Sequence, residues 1–138
     1  MKIIILSLVL LIGAQSFGQD QIHPIDRENN RCIENTTPTT IGSINCEKEA
    51  LDAWQSEMEI VLQRLRENPE LLDVTLLEAS QTTWNTFHKA EVNMYYSYYQ
   101  KNYQGGTMAR AAALSFEKRH LRERVLYLID LHEELNEH

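Results

Sequence analysis

Three long stretches of this chain place apolar residues three and four apart, and only two strong breakers separate them. That spacing puts the apolar side chains on one face of a helix. No stretch alternates apolar and polar residues as a half-buried strand would. The first stretch carries Ala50, Leu51, Trp54, Met58, Val61, Leu62 and Leu65. It should be capped by Ser43 or Asn45, with Glu47 and Glu49 in a first turn where acid suits the helix dipole. It should stop at Asn68-Pro69, because proline disfavours helix in the residue before it. The second should run from about Glu70 to Tyr103, with Leu77, Gln81, Trp84, His88, Glu91, Tyr95 and Tyr98 on one stripe, widened by Phe87, Met94 and Tyr99. Gly105-Gly106 ends it, since glycine takes the left-handed conformation at a helix C-terminus. Thr107 should cap the last stretch, with Ala111, Leu114, Leu121, Val125, Leu128, His132 and Leu135 on its stripe and Leu126 and Ile129 beside it. Its acidic last turns oppose the dipole and should fray.

The chain begins with a pattern of another kind. Lys2 precedes an apolar run from Ile3 to Ile12, followed by small residues that offer cleavage after Ser16 or after Gly18. Residues 1–18 therefore read as an export signal. The run is shorter than the roughly 20 apolar residues of a spanning helix, and no cysteine follows it for a lipid anchor, so no stable membrane insertion is expected. About 120 residues would remain, a length that suits one domain, 19–138. An exported chain with only Cys32 and Cys46 should join them in a disulfide, worth roughly 3 kcal/mol for a loop of this length. Neither cysteine has a CxxC partner or a nearby histidine to suggest a metal site or a reactive thiol.

Ahead of the first long helix, His23-Pro24-Ile25-Asp26 should open a short helix, with proline suited to its first turn, ending near Asn35. Thr36 to Gly42 reads as a linker. The expected fold class is all-α: three long helices in an antiparallel bundle plus a short N-terminal helix tied by one disulfide. The formal net charge is −7, and removal of Lys2 with the leader makes it one unit more negative. An acidic chain argues against a nucleic-acid partner; it is compatible with a cationic one, but acidity that serves solubility alone is the first reading.

Candidate chemistry is sparse. Gln81, His88 and Glu91 are polar residues on an apolar stripe, and His88 and Glu91 are neighbours on the helix surface. No nucleophile, oxyanion-donor pattern or glycine-rich phosphate loop accompanies them, so a hydrogen-bonded layer between helices is expected rather than a catalytic site. His132 and His138 flank glutamates without the HExxH spacing, and His23, His88 and His120 stand isolated, so neither a metal nor another cofactor is expected. Lys118, Arg119, Arg122 and Arg124, interleaved with Glu117 and Glu123, read as a solvated face with intrahelical pairs. The densest aromatic stretch is Tyr95-Tyr96-Ser97-Tyr98-Tyr99 with Tyr103. Tyr95 and Tyr98 should share the core stripe, while Tyr96 and Tyr103 face outward beside the Gly105-Gly106 turn. There they read equally as a partner-binding surface, because tyrosine offers large contact area at low entropy cost, and as ordinary aromatics that pack their rings and keep their hydroxyls in water.

The order of motifs resembles a known family. HPID at 23–26 precedes Cys32, and a threonine-rich linker leads to Cys46. Trp54, Glu57 and Met58 stand where that family has W-D-x-E-L-N. Gln81-Thr-Thr-Trp84-Asn-Thr-Phe87 matches its Q-x-x-W-x-x-F/Y core, and Gly105-Gly106-Thr107-Met108 a family turn before a terminal helix with Arg124 and Leu128. The pattern is similar to that of the LprI-type lysozyme inhibitors, small exported helical proteins. Here His88-Lys89 replaces the family's Arg-Asp, Gln55 its aspartate, Glu59 its asparagine and Leu62 its tyrosine. The resemblance implies a non-catalytic periplasmic or secreted protein. Its partner would be a cationic lysozyme-type glycoside hydrolase, met at Tyr96, Tyr103, Gly105 and Gly106; the alternative is an envelope interaction module with an unrelated partner.

Overall fold

The computed structural model describes residues 22–137, which form four helices: α1 Pro24–Asn35, α2 Thr40–Arg66, α3 Val74–Asn102 and α4 Gly106–Asn136. No strand occurs among the described residues, and no described helix is long and apolar enough to cross a membrane. The expected export signal lies outside the described residues.

The start of α1 has a sequence cause. The imidazole Nδ1 of His23 accepts from the Ile25 N–H (3.3 Å), and Pro24 occupies the first turn, where its missing N–H costs nothing. The rest of the HPID segment fixes α1 to the body. The His23 ring lies 4.4 Å from that of Trp54, Ile25 packs on the core, and Asp26 accepts from Arg122 of α4 at 2.8 Å. Cys32 and Cys46 are bonded, with Cα atoms 5.7 Å apart.

The second helix starts earlier than Ser43 or Asn45. Thr39 is its cap, accepting from the Gly42 N–H at 3.1 Å, so the expected linker to Gly42 ends at Thr39. Gly42 makes the early start possible, because a Cβ there would stand 2.6 Å from the Thr37 carbonyl oxygen. The third helix starts later than Glu70. Pro69 and its neighbours form a turn, and Asp73 caps α3 by accepting from the N–H groups of Thr75 (2.8 Å) and Leu76 (3.2 Å). Gln104, Gly105 and Gly106 all have positive φ, a tight reversal after which α4 begins at Gly106 without a side-chain cap. Thr107 lies inside α4.

The core is built mainly between α2 and α4. Trp54, Val61, Leu65, Val125 and Leu128 are essentially inaccessible to solvent. Paired positions give the register. Thr40 meets Met108, Glu47 meets Lys118 and Trp54 meets Arg122, so α2 and α4 run the same way. Gln81 meets Arg124, His88 meets His120 and Tyr95 meets Phe116, so α3 and α4 run in opposite directions. Whereas α2 buries eight residues, α3 buries only Leu77 and Gln81. It touches α2 at Arg66–Glu78 and Met58–Gln81. A cleft of about 730 Å³ lies between these helices, with Asp52, Gln55 and Ser56 on the α2 side and Asn85 and Lys89 on the α3 side.

Candidate interaction surface

Three features converge on α3: a polar seam against α4, the cleft toward α2, and a run of exposed aromatic residues at its C-terminal end.

The seam begins at Gln81, the one buried polar residue among those described. Its amide nitrogen donates to Met58 Sδ (3.0 Å) and Asn85 Oδ1 (3.1 Å), and its oxygen accepts from Arg124 Nε (3.2 Å). Arg124 also donates to Ser80 Oγ (3.2 Å) and lies over the rings of Trp84 and Tyr127. Burial lowers the pKa of its guanidinium. One turn on, the half-buried Trp84 stacks on His88 (4.6 Å, 14°). The His88 Nδ1 lies 2.9 Å from the His120 Nδ1, so one imidazole donates to the other. Burial, and secondarily His120, lowers the His88 pKa to about 4. The ring is thus neutral at physiological pH.

Several expectations are corrected here. The layer between helices expected of Gln81, His88 and Glu91 omits Glu91: His88 pairs with His120 and Gln81 with Arg124 across the helix seam, while no hydrogen bond of the Glu91 side chain is found among the described residues. The basic stretch of α4 is not a solvated face of intrahelical pairs. Lys118 binds Glu47 of α2 (2.9 Å) with both side chains largely shielded, Arg122 binds Asp26 of α1, and Arg124 holds Gln81 of α3. Asn29, with its amide turned to suit both neighbours, donates to the Cys46 carbonyl (3.1 Å) and accepts from Lys118 (2.8 Å). Phe87, Met94 and Tyr98 do not join the core. They are 51 %, 54 % and 55 % exposed, because α4 covers the adjoining stripe and meets theirs only where His120 touches the Phe87 ring edge-on. Phe116, unassigned from the sequence, is buried and stacks on Tyr95 at 3.9 Å. Its neighbours on that face are Ala109 and Ala113, small residues that give only a weak apolar signal.

Tyr96 and Tyr103 are 45 % and 42 % exposed. Tyr103 stacks on Tyr99 (6.2 Å) and leads into the Gly105-Gly106 reversal, where the Gly105 N–H donates to the Gln100 carbonyl at 2.9 Å. Both glycines sit near φ +80°, where a side chain would be strained. The turn therefore presents backbone flanked by tyrosine rings. Tyr96 follows Lys89 by seven residues and so continues the face of α3 that walls the cleft, and Tyr103, a further seven on, is the residue that ends the helix.

Among the described residues no group of three or more His, Cys, Asp or Glu side chains is placed to hold a metal ion. Chemically the seam offers hydrogen-bonding groups around one guanidinium, that of Arg124, while the cleft and turn expose charged, apolar and aromatic surface.

Comparison with curated proteins finds no match, and comparison with solved structures finds none either. A family model described as lysozyme inhibitor LprI matches residues 32–128. That span runs from the first bonded cysteine through the Trp54, Gln81 and Trp84 elements to Leu128 of α4, and on it the chain belongs to the LprI family.

Proposed function

We propose that this chain is an exported, non-catalytic inhibitor of lysozyme-type glycoside hydrolases, acting by protein–protein binding as a single domain spanning 19–138. The observation that carries the reading is the family match over residues 32–128. The acidic balance of the chain supports it, since enzymes of this class are commonly cationic and a net charge of −7 would steer the encounter. Such enzymes cut with two carboxylates in an open cleft. The Gly105-Gly106 turn is a tight reversal, and Tyr103 beside it with Tyr96 about two turns back along α3 would supply rigid aromatic contact. In this reading the turn enters or covers the enzyme's cleft and excludes the glycan.

The direct test is lysis of bacterial cell walls by several lysozyme types, titrated with the purified protein lacking residues 1–18. Saturable inhibition is expected by concentrations on the order of 10 μM. Undiminished lysis by every type at several times that concentration sinks the reading. The His88-Lys89 pair, standing where the family has Arg-Asp, favours a second reading: an envelope interaction module with another partner. Affinity capture from envelope extracts that retains a different protein and no lysozyme would select it.

A further inference from the structure

The cleft between α2 and α3 has an apolar floor and acidic walls. The buried Met58 and Leu121 line its base, with Trp84 beside them. Asp52 and Glu59 stand on the α2 wall, and Glu117 of α4 lies between the helices. None of these three carboxylates takes part in the four ion pairs found among the described residues. The one cationic lining residue is Lys89, itself outside those ion pairs. His88 adds no positive charge at neutral pH. The cleft is therefore a net anionic groove whose base is greasy.

We infer that this cleft seats an arginine side chain of a cationic protein partner. The inference rests on the inhibitor reading for the partner's basic character, and it deepens that reading by naming the contact. An arginine stem would lie on Met58 and Leu121, as long basic side chains do on apolar surface. Its planar fork would reach Glu117 and a wall carboxylate together, a geometry that lysine's point charge does not match. Burial pushes the Glu117 carboxyl above its usual range, so a cation beside it would offset the cost of keeping that charge half-buried. Tyr96 and Tyr103, at intervals of seven from Lys89 on α3, extend the same face toward the Gly105-Gly106 turn. One partner would then span the cleft and the tyrosines together.

The test uses the isotopically labelled protein and N-acetyl-arginine amide as probe, followed by NMR. Saturable shifts are expected at the Trp84 indole, the Asn85 side-chain amide and the Lys89 backbone. Asp52→Asn with Glu117→Gln should weaken binding by about fivefold or more, with the unliganded spectrum otherwise preserved. Equal binding by that double variant overturns the proposal. So do shifts spread over the acidic end of α4 (Glu133, Glu134 and Glu137) without preference for the cleft. Tighter binding of N-acetyl-glutamate amide, or cleft signals that move with protein concentration alone, would assign the groove to an acidic ligand or a second copy and equally overturn it. The lysozyme titration keeps the two readings apart. Arginine binding without inhibition leaves the cleft and removes the enzyme partner, whereas inhibition unchanged in the double variant removes the cleft and leaves the inhibitor.

Discussion

Two halves of this molecule use the same helical periodicity and reach different ends. On one side, α1, α2 and α4 close around Trp54, and polar groups at their edges are tied across elements: Asp26 to Arg122, Glu47 to Lys118, Asn29 to both α2 and α4, and Cys32 to Cys46. On the other side, α3 leans on α4 alone for much of its length. Its seam is Gln81, Trp84 and His88 rather than leucine and valine, and its outer stripe of Phe87, Met94 and Tyr98 stays exposed. Amphipathicity selects which residues share a face, but a neighbour is needed to bury it. The closed side holds the fold, and the open side leaves polar and aromatic surface uncovered.

The two tryptophans give the sharpest way to break that comparison. Trp54→Ala removes a side chain with no solvent exposure and should cost about 4 kcal/mol. Trp84→Ala removes a half-buried ring beside a cleft and should cost about 2 kcal/mol. Chemical denaturation of both variants measures the difference. Equal losses would mean that α3 is as integral to the core as α2. The disulfide comes next. Replacing Cys32 and Cys46 together by serine opens a link of sequence separation 14 and should cost about 3 kcal/mol. Hydrogen exchange in this variant should rise first in α1 and leave α3 unchanged, because the bond serves only the closed side.

How far these differences were legible depends on the partner of each residue. The α2 stripe from Ala50 to Leu65 reads correctly because helices cover it on more than one side. The same logic fails at Tyr98, which has the right spacing and no neighbour to bury it. The ends were harder. Thr39 and Ser43 are equally good caps by residue type, and the choice rests on Gly42 approaching the Thr37 carbonyl, a contact within the turn itself. The basic run at 118–124 looks self-paired because Glu117 and Glu123 stand next to it. Its real partners, Asp26, Glu47 and Gln81, lie between 43 and 96 residues away in sequence. The His88–His120 contact was hidden for the same reason. Gln81 and Trp84 were visible as polar and aromatic breaks in a stripe, but a break in periodicity does not name the group across the seam.

His88 sharpens the comparison through pH. Its folded pKa, about 4, lies below the ordinary 6.5 because burial and then His120 disfavour the charged ring. The folded protein therefore binds fewer protons than the unfolded chain between those values. The stability this contributes is complete above the ordinary histidine value and is lost as pH falls toward 4. With solvent screening of a half-exposed ring discounted, the loss should be about 1–2 kcal/mol. Stability measured between pH 7 and 4 should drop more steeply in the wild type than in His88→Gln. Parallel curves would mean that the seam is as wet as the cleft.

Glu117 carries the smallest effect and the most informative one. Burial raises its carboxyl pKa, so the folded state favours the protonated acid. The stability linked to this group is present at low pH and lost as pH rises through the folded value, which leaves the charged side chain a net cost near neutrality. Glu117→Gln removes that cost while keeping the shape. The variant should exceed the wild type at pH 7 by less than about 1 kcal/mol, with the gap closing as pH falls below the usual glutamate range. In the same variant, arginine binding at the cleft should weaken. A gain in stability coupled to a loss in binding is the mark of a residue retained for recognition. If stability falls instead, Glu117 is paired in solution within the seam, and the division between a closed structural side and an open recognition side does not pass through this residue.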